Sequence, residues 1–191
     1  SINLINHLST YADSPLATST NLEETLRYIG SVMNKDEDVL VLYMTSHGSR
    51  NHEFSMSFWP LPLNDITPAM LRKYLDDSGI KWRVVIISSC YSGGFVEPLK
   101  NDYSAIATAA APDRKSFGCS NKNNFTYFGE ALLKNQLQSE YSLPIAFSQA
   151  TTEIAAREAR EKVTASKPQF VIGTSIAPVL DALSADLQAH E

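Results

Sequence analysis

Two residue types that can carry out nucleophilic chemistry, a histidine and a cysteine, stand at the ends of apolar segments in this chain. His47 follows the segment 39–45 and precedes Gly48, and Cys90 follows the segment 84–89. A cysteine attacks a carbonyl as its thiolate, which a neighbouring imidazole favours. The backbone N–H groups of Gly48 and Cys90 can hold the oxyanion that such an attack creates. The sequence thus contains a nucleophile, a base and oxyanion donors.

A structural interpretation of these residues is also available. A lone cysteine at the end of a strand is usually a small buried apolar residue, and a lone histidine near a sheet edge is usually a hydrogen-bonded polar residue. Here both strand ends are followed by glycine, and the Gly93-Gly94 pair after Cys90 can begin a helix whose positive end favours a thiolate. The residues alone leave both interpretations open.

Strands and helices alternate along the sequence, and this order predicts one α/β domain with a mostly parallel sheet. Continuous apolar segments such as 38–44 are typical of strands that are buried on both faces. Apolar residues spaced by three or four indicate helices, and we expect Thr20 and Glu23 to begin the first one as a capping box. The predicted helices cover about 21–34, the segment between Thr67 and Gly79, and parts of 125–137, 143–163 and 176–187; the predicted strands cover about 38–44, 82–89, 104–110 and 169–173.

The two candidate residues follow different strands of this predicted sheet. Ligands of open α/β sheets bind outside the carboxyl ends of the strands, so we expect His47 and Cys90 to face each other there. A polar loop over 112–124 is long enough to take part in the same site. Its polar residues either position a substrate or form a solvated turn, and they include Asp113, Arg114 and Ser116.

Composition and charge exclude several classes of protein. The chain has 191 residues, of which 43% are hydrophobic and 19% charged, as expected for a folded domain with a core. Its 16 Lys and Arg residues against 21 Asp and Glu residues give a formal net charge of −5, so electrostatics favours neither nucleic acid nor an anionic membrane as a partner. The longest apolar run, 39–44, is far too short to span a membrane. The cysteines and histidines lack the spacing of a zinc site.

Five ordered segments resemble blocks of the legumain-like cysteine peptidases, the C13 family of the caspase-like clan, and most of all those of its bacterial members. The first segment is 41–49, which contains His47-Gly48, and the second is 84–93, which contains Cys90-Tyr91-Ser92-Gly93. The later segments are Thr108-Ala109-Ala110, 113–119 and 126–130. One match of this kind is common by chance, but five in the same order are a specific signal.

The resemblance implies a caspase-like three-layer α/β sandwich, cysteine endopeptidase activity, and no metal or organic cofactor. His47 and Cys90 match the catalytic dyad, and Gly48 matches the glycine whose N–H shares the oxyanion hole with that of Cys90. The implied partner is a peptide or protein substrate, and analogy with relatives favours an extracytoplasmic location, periplasmic or secreted. We expect residues 1–191 to form a single peptidase domain whose first strand and helix lie upstream of Ser1 or are absent.

Three residues are candidates for binding the substrate: Ser88, Ser89 and Glu130. Legumains hold a substrate asparagine with an arginine on the first strand, an acidic residue two positions before the nucleophile, and an acidic residue after a Leu/Phe-Gly pair. Glu130 matches the last of these, whereas Ser88 stands at the second position and the arginine has no match. The family implies cleavage after asparagine or aspartate, and a pocket built on Glu130 can also take a basic side chain. The alternative for Glu130 is a solvated helix charge.

Two other functions remain open from the sequence. An amine in place of water would make the same dyad a transamidase. A catalytically silent caspase-like module that binds other proteins would keep the fold, with a Cys90 thiol of ordinary reactivity. The weaker signals have plainer interpretations: His52 as loop surface, Cys119 as a packing residue beside the site loop, Asn124-Phe125-Thr126 as a helix cap rather than a glycosylation site, and Glu158 with Lys162 as an i,i+4 ion pair.

Overall fold

A four-stranded sheet lies at the centre of the computed structural model, which describes residues 1–119 and 123–190. Its strands lie side by side in chain order: β1 (Val39–Thr45), β2 (Trp82–Ser88), β3 (Ser104–Thr108) and β4 (Gln169–Ile172). β1, β2 and β3 are parallel, and β4 pairs with β3 in the antiparallel direction. The predicted mostly parallel sheet is confirmed.

Helices cover both faces of this sheet, which confirms the predicted three-layer α/β sandwich. One face carries α1 (Ser19–Val32), α2 (Pro68–Asp77) and the short α3 (Val96–Leu99), which follows a 3₁₀ turn over Ser92–Phe95. The other face carries α4 (Tyr127–Gly129) with a π-helical continuation over Glu130–Gln136, and then α5 (Leu143–Glu161) and α6 (Ala177–Ala189). In the part of the chain that the structure describes, no helix combines the length and apolarity needed to cross a membrane.

β2 is the central support of the site because both of its faces are buried along its whole length. Successive side chains of a strand point to opposite faces, so β2 contributes to two separate cores. Val85 and Ile87 pack on the α1 and α2 side, and Val84 and Ile86 pack on the α5 side. A strand packed on both sides holds the residue that follows it in a defined place. Here that residue is Ser89, which precedes Cys90.

β1 is an edge strand, and the expectation that it is buried on both faces is wrong. Leu40 and Met44 are buried, but Val41 is 61% exposed and Tyr43 is 37% exposed. In the described chain only β2 pairs with β1. An apolar run predicts an extended segment, whereas the burial of each face depends on neighbours that the run itself does not specify.

The helix predicted over part of 125–137 forms in two pieces with different pitch. Phe128 and Leu132 are four residues apart and both are buried in the same core. Leu137 comes five residues after Leu132, and its N–H donates to the Leu132 carbonyl at 2.9 Å. The wider π-helical turn therefore keeps all three apolar side chains on the same side of the helix.

Two local predictions about helix ends are wrong. α1 begins at Ser19 and is capped by Thr18, whose Oγ1 accepts the N–H of Asn21 at 3.0 Å, so Thr20 lies inside the helix. Glu158 does not pair with Lys162, because Lys162 is the left-handed residue that ends α5. Glu158 is instead only 3% exposed, and both carboxylate oxygens accept the N–H of Ser166 at 3.1 Å.

We expect a Glu158→Ala variant to be less stable than the wild type by about 1.5–3 kcal/mol, the value of a hydrogen bond to a charged group. The substitution leaves the Ser166 N–H buried without its acceptor. The free energy of unfolding from urea titration measures the effect. Glu24→Ala, on an exposed part of α1, serves as the control and should change it by less than about 0.5 kcal/mol. A loss at Glu158 no larger than this control would contradict the structural role.

Candidate active site

The ends of β1 and β2 meet at one edge of the sheet. Thr45 is in register with Ser88, and the N–H of Ser46 donates to the Ser88 carbonyl at 3.2 Å just beyond the paired residues. The chain after β1 therefore continues beside the chain after β2. This pairing brings the segment that contains His47 next to the segment that contains Cys90, as the sequence predicted.

Gly48 lies directly against the peptide group of Cys90. A Cβ atom at position 48 would overlap the carbonyl oxygen of Cys90, and it would stand 3.1 Å from the Oγ of Ser89. Only a residue without a side chain fits there unless the backbone moves. The site thus requires glycine after His47 for a steric reason, since Gly48 does not have a positive φ angle.

The candidate oxyanion donors are not used by the fold. Among residues 1–119 and 123–190, neither the N–H of Gly48 nor that of Cys90 donates to a backbone or side-chain acceptor. Backbone N–H groups are nearly always paired when they are buried. Gly48 and Cys90 are both partly exposed, so their donors remain available to a bound molecule.

The loop after β3 packs on Cys90 from the other side. The Sγ of Cys90 donates to the carbonyl of Ser116 at 3.4 Å, and the hydroxyl of Ser116 is 3.8 Å from the same sulfur. The N–H of Tyr91 donates to the carbonyl of Arg114 at 2.8 Å. Of the three polar residues that were open between a substrate loop and a solvated turn, Ser116 is buried and contacts Cys90.

The Ser92-Gly93 pair explains how that loop reaches Cys90. The buried Ser92 hydroxyl accepts the N–H of Ala110 at 3.1 Å. A Cβ at Gly93 would stand only 2.5 Å from the nitrogen of Pro112, so the two backbones touch. A serine and a glycine at these positions bring the end of β3 close to the 3₁₀ turn that follows Cys90.

Cys119 lies near Cys90, on the same loop as Ser116. Burial raises the pKa of the Cys119 thiol, the nearby Cys90 raises it further, and a hydrogen bond with Ser116 lowers it by less. A thiol with a raised pKa carries less thiolate at neutral pH and reacts more slowly. Cys119 is therefore suited to packing, which is the interpretation that its sequence context favoured.

We expect the Cys119 thiol to be alkylated more slowly than a free cysteine thiol. In a Cys90→Ser variant, Cys119 is the only thiol, and its reaction with iodoacetamide at pH 7 should be several-fold slower than that of N-acetylcysteine amide. The rate should rise with pH and reach half its maximum at a higher pH than the model thiol does. Alkylation at neutral pH as fast as the model compound would contradict the raised pKa of this thiol.

His52 does not lie on the loop surface, so that interpretation is wrong. Its ring is half buried, and its Nδ1 is 3.0 Å from the carbonyl oxygen of Tyr91. A carbonyl oxygen only accepts, so Nδ1 carries the proton that is donated. A Cβ at Gly94 would overlap the His52 ring. Sequence spacing gave no indication of this contact, since the two residues are separated by a helix and a strand.

The three candidate substrate-binding residues have different surroundings. The hydroxyl of Ser88 is fully buried and 2.8 Å from that of Thr126, whose oxygen also accepts the N–H of Gly129 to cap α4. Ser89 is 1% exposed, and its buried hydroxyl has no hydrogen-bond partner within the described chain. Ser88 therefore connects the site to α4, while Ser89 lies under Gly48.

Glu130 is engaged in ion pairs. One carboxylate oxygen accepts from Lys134 at 3.2 Å, and the other accepts from Arg157 at 2.9 Å. These hydrogen bonds hold the pKa of Glu130 below its usual range. Arg157 is fixed in turn because its guanidinium stacks on the ring of Tyr127 at 3.6 Å from the centroid. A substrate side chain that reached Glu130 would have to compete with two cations.

The described residues contain no group of three or more His, Cys, Asp or Glu side chains placed to hold a metal ion. The prediction that no metal or organic cofactor is needed stays a prediction.

Comparisons with known proteins agree with this geometry. Residues 21–177 match the model of the peptidase C13 family. Caspase-1 from Spodoptera frugiperda has a similar structure, with a TM-score of 0.58 and 16% identity over 83% of this chain and 69% of that chain. At that identity the likeness concerns the fold, and it confirms the caspase-like sandwich. No curated protein matches the sequence. Because the family model spans most of the chain, the protein belongs to the peptidase C13 family of caspase-like cysteine peptidases.

Proposed function

We propose that this protein is a cysteine endopeptidase in which Cys90 is the nucleophile and His47 is the general acid and base. One observation carries the proposal: Gly48, the neighbour of His47, lies against the peptide group of Cys90, and the N–H groups of both residues are free of partners in the described chain. A nucleophile with free backbone donors close to it is what acyl transfer needs.

The reaction proceeds through two carbonyl additions. In the first, the thiol proton of Cys90 passes to His47 and the sulfur forms a bond to the scissile carbonyl carbon. The C–N bond then breaks as the imidazolium of His47 gives its proton to the leaving amine, and a thioester remains on Cys90. In the second, His47 takes a proton from water as the water oxygen adds to the thioester carbonyl, and the C–S bond then breaks while the imidazolium of His47 returns the proton to the Cys90 sulfur.

The N–H groups of Gly48 and Cys90 act at the point where negative charge develops. In each tetrahedral intermediate the former carbonyl oxygen carries that charge and accepts a hydrogen bond from both donors. Donors that are already in place need no reorganisation when the charge appears, which makes their effect on rate large. The steric requirement for glycine at position 48 supports this role, since it brings one donor against the residue that supplies the other.

The proposal assigns asparagine or aspartate as the residue before the cut, following the family resemblance. The hydroxyls of Ser88 and Ser89 lie at the end of β2, and the buried Ser89 hydroxyl would reach a substrate group only if the backbone at Gly48 moved on binding. Glu130 would contribute only after leaving Lys134 or Arg157. A preference for lysine or arginine before the cut would indicate that Glu130 is free in the complex.

Cleavage of a diverse peptide library tests the proposal. The wild type, a Cys90→Ala variant and a Cys119→Ala variant are incubated with the library, and mass spectrometry identifies the residue before each cut. We expect the same cuts from the wild type and from Cys119→Ala, and none from Cys90→Ala. Cuts that persist in Cys90→Ala, or a folded wild type that cuts nothing, would overturn the endopeptidase assignment.

The same experiment separates the two rival functions when a primary amine is added. A transamidase would form an amide between the acyl part of the peptide and the amine. This amide is heavier than the hydrolysis product by the mass of the amine minus the mass of water. A silent binding module would form neither product. Hydrolysis products that stay in excess over the amide at millimolar amine support the peptidase.

A further inference from the structure

We propose that His52 is a positioning residue that fixes the backbone around Cys90 by holding the carbonyl of Tyr91. The inference rests on the proposed function for its meaning, since it concerns the same site. His52 belongs to the loop that follows His47, and Tyr91 directly follows Cys90. The contact between them therefore joins the loop of the proposed base to the loop of the proposed nucleophile.

The contact is specific in its hydrogen bonding. The Nδ1–H of His52 donates to the Tyr91 carbonyl at 3.0 Å, and the N–H of Gly94 donates to the same oxygen at 3.1 Å. The N–H of Tyr91 is held by the Arg114 carbonyl at 2.8 Å. The backbone N–H and the backbone carbonyl of Tyr91 are thus both hydrogen-bonded, and one bond to the carbonyl depends on the imidazole.

Backbone strain indicates why Tyr91 needs such support. Tyr91 has a φ angle of 57° and a ψ angle of 17°, which is the left-handed region that residues other than glycine rarely occupy. A residue of this kind persists when surrounding contacts over-determine its conformation. His52 itself has a φ angle of 62°, so the fold holds both members of the pair in an uncommon conformation.

Gly94 leaves the space that the imidazole fills. A Cβ at this position would overlap the His52 ring, while the glycine has no positive φ that would itself require glycine. The ring therefore packs against the 3₁₀ turn over Ser92–Phe95 as well as bonding to Tyr91. Release of the Tyr91 carbonyl would loosen the backbone directly after Cys90, because the two residues share one peptide bond.

Three substitutions at His52 distinguish positioning from simple filling of space. In His52→Asn the side-chain nitrogen can occupy the place of Nδ1, and asparagine tolerates the left-handed conformation. In His52→Gln the amide lies one bond farther out, and in His52→Ala the donor is lost. We expect kcat to fall about 10-fold to 100-fold in His52→Ala and His52→Gln, the scale of a small misplacement of reacting groups. KM should change by less than about threefold, and His52→Asn should recover most of kcat.

A second measurement does not depend on activity. Hydrogen–deuterium exchange of the segment 90–95 should become faster in His52→Ala and return towards the wild-type rate in His52→Asn, because the Tyr91 carbonyl that accepts the Gly94 N–H is no longer fixed. His190→Ala is the matched control, since the Nδ1 of His190 also contacts a carbonyl, that of Asp186, at 2.8 Å but at the exposed end of α6. It should leave both kcat and exchange unchanged.

A double mutant tests the packing. As a single substitution, Gly94→Ala should lower kcat. The loss should be smaller in the His52→Ala background, because the ring that the new methyl group meets is gone. Unchanged exchange in His52→Ala, or a His52→Asn variant as slow as His52→Ala, would overturn the inference. If the wild type cuts no peptide, the endopeptidase assignment fails, and the exchange experiment still decides whether His52 fixes the Tyr91 backbone.

Discussion

A His47→Ala variant should cleave peptides about 10²-fold to 10⁴-fold more slowly than the wild type, the usual contribution of a general acid or base. The side chain is exposed and its loss disturbs little of the fold. The backbone carbonyl of His47 accepts the N–H of Ser55 at 2.9 Å, and that bond survives the substitution. The rate constant should fall while the midpoint of thermal unfolding changes by no more than a few degrees.

His7→Ala provides the matched comparison, because His7 is also exposed and its Nδ1 contacts only the neighbouring Ser9. It should cleave at the wild-type rate. Alkylation of Cys90 by iodoacetamide, followed in a Cys119→Ser background, shows whether the sulfur is still accessible in His47→Ala. A His47→Ala variant that retains more than a tenth of the wild-type rate would remove this residue from the proposed mechanism.

A Gly48→Ala variant should lose about 10²-fold to 10³-fold in kcat, comparable to the removal of one oxyanion donor. The added methyl group would overlap the Cys90 carbonyl oxygen, so the backbone at 48 or at 90 must shift. Either shift moves an N–H away from the developing charge. Overpacking should also lower the free energy of unfolding by about 1–3 kcal/mol.

Alkylation separates the loss of the oxyanion hole from a general loss of the site. The reaction of Cys90 with iodoacetamide creates no oxyanion, so its rate in Gly48→Ala should stay within a few-fold of the wild type while peptide cleavage falls. Ser57→Ala, at an exposed position of the same loop, should change neither rate. Equal losses of alkylation and cleavage would show that the substitution disrupts Cys90 itself and would count against an oxyanion role for the Gly48 N–H.

The order of the helices and strands could be predicted because each one has a local signal. Thr67 and Pro68 begin α2, and the Thr67 Oγ1 accepts the N–H of Met70 at 3.2 Å as an N-cap should. The apolar runs of β1 and β2 identified both strands. Burial at the sheet edge was not predictable in the same way, because Val41 has the same residue type and context as the buried Val85.

The candidate site was predictable to the extent that strand ends determine it. The segments that contain His47 and Cys90 could be placed side by side since parallel strands end at the same edge. The pairing of Glu130 with Arg157 could not be predicted, because Arg157 is 27 residues away and on another helix. His52 and Ser116 were likewise hidden, since their contacts with the Cys90 region depend on how two loops pack rather than on any spacing within one element.

Selection for stability alone would not retain the hydroxyl of Ser89. A buried polar atom without a partner costs about 1–3 kcal/mol, and alanine removes that atom at the expense of only a small void. We therefore expect Ser89→Ala to raise the midpoint of thermal unfolding, and a lower midpoint would show that the hydroxyl has a partner in solution. Natural proteins accept such losses where activity depends on the group concerned. An engineer seeking a more robust variant of this protein would thus meet the trade-off between durability and turnover one residue before the proposed nucleophile.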